Sequence, residues 1–316
     1  SRRPPGGCYA LQGADARAKQ AGRPPRAEDH NPSSQPMKTI LLIQTRSGYW
    51  DLVQGRGLPL PVLHAATLVS RRYKVVLLDL RDAVAPHRAL RAALRRDRPF
   101  IVGITVMIGP QVRRAIALSR VIKALAPQAC VVWGGVFPSL SPELVFSEGS
   151  VDCVVAGEGE LTLLRLAEAL DDGGDPAGVP GVLTPGDNGA ARGERVEAFL
   201  DLDALPLPPY HLLRQPAYLP LLRRGGALDV QTSRGCPHAC SFCYNQQLGR
   251  GGWRKRSPER VEEELIYLRR MFSPSRIFYI DDNFFADRDR ALAIAERTGR
   301  LGLSWGTHGL TPAAAI

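Results

Sequence analysis

The stretch Leu228-Asp-Val-Gln-Thr-Ser-Arg-Gly-Cys236-Pro-His-Ala-Cys240-Ser-Phe-Cys243-Tyr244 places three of the six cysteines of this 316-residue chain close together. The apolar run Leu228–Thr232 predicts a strand, so the cysteines lie on the loop that follows its carboxyl end. Three thiolates at C-x-x-x-C-x-x-C spacing can ligate three irons of a [4Fe-4S] cluster and leave the fourth iron open. An open coordination position is typical of catalytic metal sites. We therefore predict a catalytic iron–sulfur loop at Cys236, Cys240 and Cys243.

A structural zinc site is one alternative for this loop, and unliganded core cysteines are another. Zinc would need a fourth ligand, and His238 inside the loop is poorly placed to complete a tetrahedron with its neighbours. Cys130 and Cys153 fall in a different predicted unit, where buried strand positions account for them. The spacing favours the cluster over both alternatives.

Downstream of the cysteines the chain continues with alternating helix and strand patterns. Ser257 and Pro258 are typical of a helix N-terminus, and strands are predicted at Arg276–Ile280 and Leu303–Trp305 with a helix near Asp287–Arg300 between them. Residues 228–316 thus hold about three strands, whereas closing an α/β barrel takes roughly six to eight units. We expect this second unit to be the incomplete first part of a barrel.

Residues 37–172 alternate continuous apolar strands with amphipathic helices, which predicts a parallel sheet covered on both faces. The predicted strands are Thr39–Gln44, Lys74–Asp79, Phe100–Val106, Ala129–Trp133 and Asp152–Ala156. The predicted helices are Leu60–Arg71, His87–Arg96, Pro110–Leu125, Pro142–Glu148 and Glu160–Leu170. The pattern predicts an α/β, flavodoxin-like doubly wound domain, and such domains bind ligands at the carboxyl ends of their strands.

Two further segments have weaker patterns. Residues 1–36 carry four prolines before residue 26 and little apolar periodicity, so we predict a disordered extension. Residues 173–227 read as a linker rich in glycine and proline, with a small hairpin between Gly181–Thr184 and Arg195–Phe199.

Glycine-rich loops follow three strands of the first unit, at the edge where a ligand would bind. Thr105 leads to Gly109, Gly134 and Gly135 are followed by Pro138, and Gly157-Glu158-Gly159 ends the fifth strand. Glycine at such positions lets a ligand approach the backbone closely. None of these loops fits the dinucleotide fingerprint G-x-G-x-x-G.

The composition argues against two functional classes, nucleic-acid-binding proteins and membrane-spanning proteins. The formal net charge is +10, from 41 basic and 31 acidic residues, but the basic residues are dispersed, which argues against a nucleic-acid groove. The longest uncharged run, Ala124–Pro142, contains prolines and glycines and so predicts no membrane span. Sparse cysteines indicate a reducing compartment, and we predict a cytoplasmic protein.

The cysteine loop, with Phe242 before its third cysteine, resembles the radical S-adenosylmethionine (SAM) superfamily. The resemblance implies a [4Fe-4S] cluster on Cys236, Cys240 and Cys243, with SAM chelating the open iron and cleaved reductively to a 5′-deoxyadenosyl radical. It also implies SAM contacts from the loop and from the end of the next strand. The residues expected to bind SAM are Phe242, Tyr244, Asp281, Asp282 and Asn283. A turn or cap is the alternative role for Asp282 and Asn283.

Together with the glycine loops, the cysteine loop makes Lys38–Ile316 resemble cobalamin-dependent radical SAM enzymes, including the anaerobic magnesium-protoporphyrin ester cyclase group. The resemblance implies cobalamin binding by the first unit, at Thr105, Gly109, Gly134, Gly135, Pro138, Gly157, Glu158 and Gly159. No Asp-x-His-x-x-Gly sequence is present, so we expect cobalt without a histidine beneath it, and His64 and His87 as surface or helix-packing residues.

The resemblance implies radical methyl transfer to an unactivated carbon of a small-molecule substrate, with methylcobalamin as methyl donor and an external one-electron reductant of flavodoxin or ferredoxin type. Cyclisation or rearrangement of a tetrapyrrole-like or lipid substrate is the alternative. Two other classes stay open: a non-catalytic iron–sulfur and corrinoid electron-transfer module, and a nucleic-acid-modifying enzyme. The charged stretches Arg254-Lys-Arg256 and Glu262-Glu-Glu264 are predicted to be solvated. Contact with an anionic substrate or with the SAM carboxylate is the alternative for the basic stretch.

Overall fold

A computed structural model of the chain describes residues 37–48, 57–195, 199–213, 218, 226–248 and 252–308. The predicted disordered extension, residues 1–36, lies outside the described residues. The part described from residue 37 onward belongs to one compact unit, in which a first α/β sheet is followed by a second, smaller one.

The first sheet contains seven strands among the described residues, in the order β2-β1-β3-β4-β5-β6-β7. These strands are β1 Thr39–Gln44, β2 Lys74–Asp79, β3 Ile101–Thr105, β4 Cys130–Gly134, β5 Cys153–Val155, β6 Val182–Pro185 and β7 Ala191–Arg192. The first five pair in parallel, which confirms the α/β fold. The order turns around between β1 and β3, and a ligand edge is expected at such a switch point.

Helices cover both faces of this sheet. They are α1 Leu60–Val69, α2 Pro86–Asp97, α3 Pro110–Leu125, α4 Val136–Leu140, α5 Pro142–Phe146 and α6 Gly159–Asp171. Two apolar clusters result, because each strand presents alternate side chains to opposite faces. Leu41 and Ile43 of β1 pack with α2 and α3, whereas Ile40 and Leu42 pack with α1 and α6.

The predicted hairpin differs from the observed one. Its first strand is β6, but the second is β7 at Ala191–Arg192 and not Arg195–Phe199, of which residues 196–198 lie outside the described part. Gly193 follows β7 with φ of +130°, and the Gly181 N–H donates to the Glu194 carbonyl at 2.8 Å, so residue 194 still lies beside the start of β6. β6 pairs antiparallel with β5, and the hairpin therefore extends the first sheet instead of standing alone in a linker.

The second sheet has the order β12-β11-β8, with all described pairs parallel. Its strands are β8 Leu228–Val230, β11 Arg276–Tyr279 and β12 Ser304–Thr307, and a two-stranded ribbon joins β9 Ser233–Arg234 to β10 Arg254–Lys255. Its helices are α7 Asn245–Leu248, α8 Pro258–Phe272 and α9 Arg288–Arg300. The Ser257 side chain accepts a hydrogen bond from the Arg260 backbone N–H, which confirms the predicted cap of α8.

No helix in the described residues combines the length and the apolar character needed to cross a membrane.

Candidate functional site

A cavity of about 220 Å³ opens at the carboxyl edge of the first sheet, between α1 and α6; we call it the first cavity. Six of the residues singled out in the glycine loops line it. These are Thr105, Gly134, Gly135, Gly157, Glu158 and Gly159. Strands β3, β4 and β5 end side by side here, so residues far apart in sequence reach one edge. The volume is smaller than a typical pocket for a whole drug-sized ligand, so the cavity suits part of a larger molecule.

Gly135 shows why this edge requires glycine. Its φ is +102°, and a Cβ there would lie 2.9 Å from the Val106 carbonyl oxygen and 3.2 Å from Thr105 Oγ1. Any side chain at this position would push into the loop after β3, because L-residues rarely adopt this conformation. The close approach of the two loops therefore depends on the missing Cβ.

Two predicted residues do not line the first cavity. Gly109 is the residue before α3, and Pro138 is buried within α4. Beside Pro138, the Ser139 Oγ accepts a hydrogen bond from the Gly157 backbone N–H at 2.9 Å. The turn that contains Pro138 thus supports the Gly157 loop from behind.

His64 was predicted to be a surface or helix-packing residue; it lies partly buried on α1, and it also lines the first cavity, which was not predicted. Burial lowers the pKa of His64 to about 3, the positive charges of Arg234 and Arg256 act in the same direction, and Glu160 acts against them. The imidazole is therefore neutral at physiological pH. No sequence motif marked His64, because only the packing of α1 against the sheet brings it to the cavity.

The cysteine loop follows β8 and the short strand β9. Gly235 has φ of +79°, and a Cβ there would overlap the Gly252 carbonyl oxygen, so the loop starts with a backbone contact that only glycine permits. Cys236 and Cys243 are partly buried and Cys240 is exposed. The Cys243 N–H donates to the Cys240 carbonyl at 3.0 Å. Within the described residues no three His, Cys, Asp or Glu side chains are grouped to hold a single metal ion.

The two aromatic residues of the loop differ in exposure. The Phe242 side chain is 92% exposed and that of Tyr244 is 37% exposed. Burial raises the pKa of Tyr244, and the negative charge of Asp282 adds to that effect. A SAM contact from Phe242 or Tyr244 stays a prediction.

The acidic stretch after β11 divides into different roles. Asp281 is buried and accepts hydrogen bonds from the Thr232 N–H at 2.6 Å, from the Thr232 hydroxyl and from the Ser233 N–H at 3.0 Å. Burial nevertheless leaves the pKa of Asp281 raised. Both of its oxygens therefore hold the segment that leads into the cysteine loop.

Asp282 and Asn283 lie closer to the cysteines. Asp282 accepts hydrogen bonds from the Asn245 side chain and the Gly235 backbone, yet burial raises its pKa. The Asn283 Nδ2 lies 3.9 Å from the Cys236 Sγ. The Asn283 Oδ1 is buried without a hydrogen-bond partner. A buried acceptor without a partner costs free energy, so this oxygen is suited to a donor from a ligand.

The charged stretches predicted to be solvated are instead largely committed to ion pairs. Arg256 is 3% exposed and pairs with Glu264 of α8, which is 1% exposed. Arg254 pairs with Glu158, beside the first cavity. The pattern of like charges did not reveal these ion pairs, because the partners of Arg254 and Glu262 lie in distant segments and the burial of Glu264 depends on how α8 packs.

Comparison with known families gives two matches on this chain. The family of the B12 binding domain matches residues 50–167. The Radical SAM superfamily matches residues 230–314. The first match includes the loops around the first cavity, and the second includes the cysteine loop and the Asp281–Asn283 stretch.

Among curated proteins, the chain is 33% identical over 275 residues to an uncharacterized methyltransferase of Pyrococcus horikoshii, covering 85% of this chain and 59% of that protein. It is 30% identical over 171 residues to the anaerobic magnesium-protoporphyrin IX monomethyl ester cyclase of Synechocystis, covering 52% of this chain and 33% of the cyclase.

Among solved structures, the chain resembles the radical S-adenosylmethionine methyltransferase TsrM of Kitasatospora setae, solved with cobalamin and a [4Fe-4S] cluster bound. The TM-score is 0.67 at 22% identity, covering 84% of this chain and 51% of that one. At this identity the likeness shows the fold. The chain spans less than two thirds of each of these three proteins.

Proposed function

We propose that this chain, which belongs to the radical SAM proteins that carry a B12-binding domain, is the cofactor-binding part of an enzyme that methylates an unactivated carbon by radical chemistry. Its substrate is a small molecule, and its reductant is an external one-electron donor of flavodoxin or ferredoxin type. A methyltransferase relative that aligns with 85% of the chain supports methylation as the reaction.

Cys236, Cys240 and Cys243 would hold a [4Fe-4S] cluster, and the donor chemistry of three thiolates fits it. When bound, the reduced cluster supplies the electron that cleaves SAM, and cobalamin supplies the methyl carrier. The unpartnered Asn283 Oδ1 would accept a hydrogen bond from the SAM ammonium. Asp282, near the same loop, would add negative charge toward it, while Asp281 keeps the loop in place. Phe242 and Tyr244 would flank SAM.

The first cavity would hold part of the corrinoid. Thr105, Gly134, Gly135, Gly157, Glu158 and Gly159 would line it, and Gly109 and Pro138 would shape the loops around it. The mainly apolar lining, which includes Leu42, Val132 and Leu163, favours a flat organic group over an ion. His64 would offer a neutral imidazole at the wall.

The observation that carries this proposal is the junction between the two candidate sites. Arg234, which lies next to the cysteine loop, lines the first cavity and pairs with Glu158 and Glu160 of the Gly157 loop. A protein that transfers a group between two cofactors needs their sites close and held in register.

Radical cyclisation or rearrangement is the second candidate, favoured by the similarity to the cyclase. Electron transfer alone is disfavoured, because simple carriers use four cysteines. The other cysteines in the described part, Cys130 and Cys153, lie in the first sheet with Sγ atoms 3.7 Å apart. Cleavage of SAM by the reduced protein would separate an enzyme from a carrier.

The test uses the full-length protein, reconstituted anaerobically with iron, sulfide and hydroxocobalamin, beside a Cys236→Ala/Cys240→Ala/Cys243→Ala variant. We expect about four irons per chain in the parent and none in the variant, and a corrinoid absorbance that survives gel filtration in both. Loss of iron without loss of corrinoid would place the two cofactors in separate sites. If iron binds but no corrinoid is retained, methyl transfer through cobalamin is wrong and radical SAM chemistry alone remains.

A further inference from the structure

Two arginines and two glutamates form a charged cluster between the first cavity and the cysteine loop. Arg234 contacts Glu158 at 3.1 Å and also pairs with Glu160. Arg254 pairs with Glu158 and donates to the Leu200 carbonyl at 2.8 Å. We call these four residues the arginine–glutamate cluster. Arg234 and Arg254 lie opposite each other on the ribbon of β9 and β10, so the ribbon presents both guanidiniums to the same loop.

The position of this cluster links two segments that the sequence separates by about 75 residues. Glu158 and Glu160 flank Gly159, which lines the first cavity. Arg234 directly precedes Gly235 and Cys236, where the cysteine loop begins. The ion pairs of Arg234 thus join the start of the cysteine loop to the Gly157 loop. Packed, hydrogen-bonded elements can transmit displacements between sites.

In the arginine–glutamate cluster, two positive charges face two negative charges, and the side chains are largely shielded from water. The Arg234 side chain is 14% exposed and that of Glu160 is 3% exposed. Burial alone would raise the pKa of Glu160, but the Arg234 charge outweighs burial and lowers that pKa to about 2. Burial likewise opposes the charge of Arg234, yet Glu160 and Glu158 keep its pKa raised. Because two carboxylates neutralise the charge of Arg234, its guanidinium attracts an anionic ligand only weakly. Its role is positioning.

We propose that Arg234 couples the two cofactor sites. An iron–sulfur cluster on the cysteine loop then tightens corrinoid binding in the first cavity, and a bound corrinoid stabilises the iron–sulfur cluster. This rests on the proposed function, which assigns a cofactor to each site. The coupling is reciprocal by thermodynamic linkage: each ligand changes the affinity for the other by the same factor. The iron–sulfur cluster would order the cysteine loop and thereby fix the position of Arg234. Arg234 would in turn fix the positions of Glu158 and Glu160, which line the first cavity.

The test measures the dissociation constant for hydroxocobalamin, by absorbance and equilibrium dialysis, in four forms of the full-length protein. Wild type and Arg234→Gln are each compared in the cluster-loaded form and in the cluster-free triple-cysteine background. We expect cluster loading to tighten binding in wild type by about five- to tenfold, and by less than about twofold in Arg234→Gln. Arg297→Gln is the matched control. Arg297 bridges Glu259 and Glu262 between α8 and α9 and touches neither site, so its ratio should equal that of wild type.

The decisive quantity is the ratio of the hydroxocobalamin dissociation constants of the cluster-free and cluster-loaded forms. A ratio near one in wild type, or the wild-type ratio retained in Arg234→Gln, would overturn the coupling. If Arg234→Gln does not fold by circular dichroism, Glu160→Gln decides the question, because it keeps the shape of the pair and removes one charge. A smaller ratio than in wild type supports the proposal, and an unchanged ratio rejects it. If no form binds hydroxocobalamin, the proposed function fails and the coupling falls with it.

Discussion

Replacing Glu264 by glutamine tests whether the base of the cysteine loop is held by a buried charge pair. Glu264 lies on α8, pairs with Arg256 and accepts a hydrogen bond from the Tyr210 hydroxyl. The Arg256 N–H in turn donates to the Thr232 carbonyl at 2.9 Å, just before the loop. Burial and the Glu264 charge raise the pKa of Tyr210 well above its ordinary value, so its hydroxyl stays protonated as a donor.

The magnitude follows from the burial of both partners. Glutamine still accepts hydrogen bonds, so the main effect of Glu264→Gln is the loss of the negative charge. The Arg256 guanidinium is then buried without a counter-charge. Breaking a buried pair in this way costs about 3–5 kcal/mol of unfolding free energy. With an m-value of about 3 kcal/mol per molar urea, the unfolding midpoint should fall by roughly 1–1.7 M.

The assay is urea unfolding of the full-length protein, followed by circular dichroism and by tryptophan fluorescence. A triple variant, Tyr210→Phe/Arg256→Met/Glu264→Leu, is the control: it removes all three polar groups together, and apolar replacement of a buried ion pair is often close to neutral. We expect it to recover most of the loss. A cost below about 1 kcal/mol for Glu264→Gln, or a triple variant less stable than the single one, would refute this reasoning.

Further predictions address the two sites and their pH response. Gly135→Val should reduce hydroxocobalamin retention on gel filtration by at least about tenfold, because its side chain would collide with Val106 and Thr105; Gly302→Ala, with φ of +70° and nothing within 4 Å of a Cβ, is the control and should retain the corrinoid. Asn283→Leu should lower the midpoint potential of the cluster in an EPR redox titration, because hydrogen bonds to cluster sulfurs raise it; an unchanged potential would exclude the Nδ2–Sγ contact. His64 has a folded pKa of about 3 against about 6.5 unfolded, so the unfolded state binds more protons between these values and stability falls as pH drops. The loss from pH 7 to pH 5 is up to about 2 kcal/mol, and His64→Gln should remove it; equal urea-midpoint shifts in the two proteins would contradict this. In the wild-type protein without iron–sulfur reconstitution, iodoacetamide should modify the exposed Cys240 well before the buried Cys153, whose pKa is raised by its contact with Cys130 and by burial; equal labelling rates in mass spectrometry of the peptides would contradict this.

The second sheet and its loop were open to prediction because their signals are local. The Ser257–Pro258 pair caps α8 through a hydrogen bond three residues away, which a sequence window contains. The five parallel strands were predicted for the same reason, since a strand buried on both faces has to be continuously apolar. The second strand of the hairpin was misplaced, because β7 is only two residues long and carries little pattern.

The α/β class, the five parallel strands of the first sheet and the cysteine spacing of the second unit could all be predicted from the sequence alone. These features depend on residue types at fixed short separations, and such local patterns can be recognised without knowledge of the fold. Three further features became visible only in the folded chain: His64 lines the cavity, Glu264 is buried rather than solvated, and Arg234 bridges Glu158 and Glu160. Each of those depends on how separate segments pack together, and the sequence does not show whether a charged side chain faces water or a buried counter-charge.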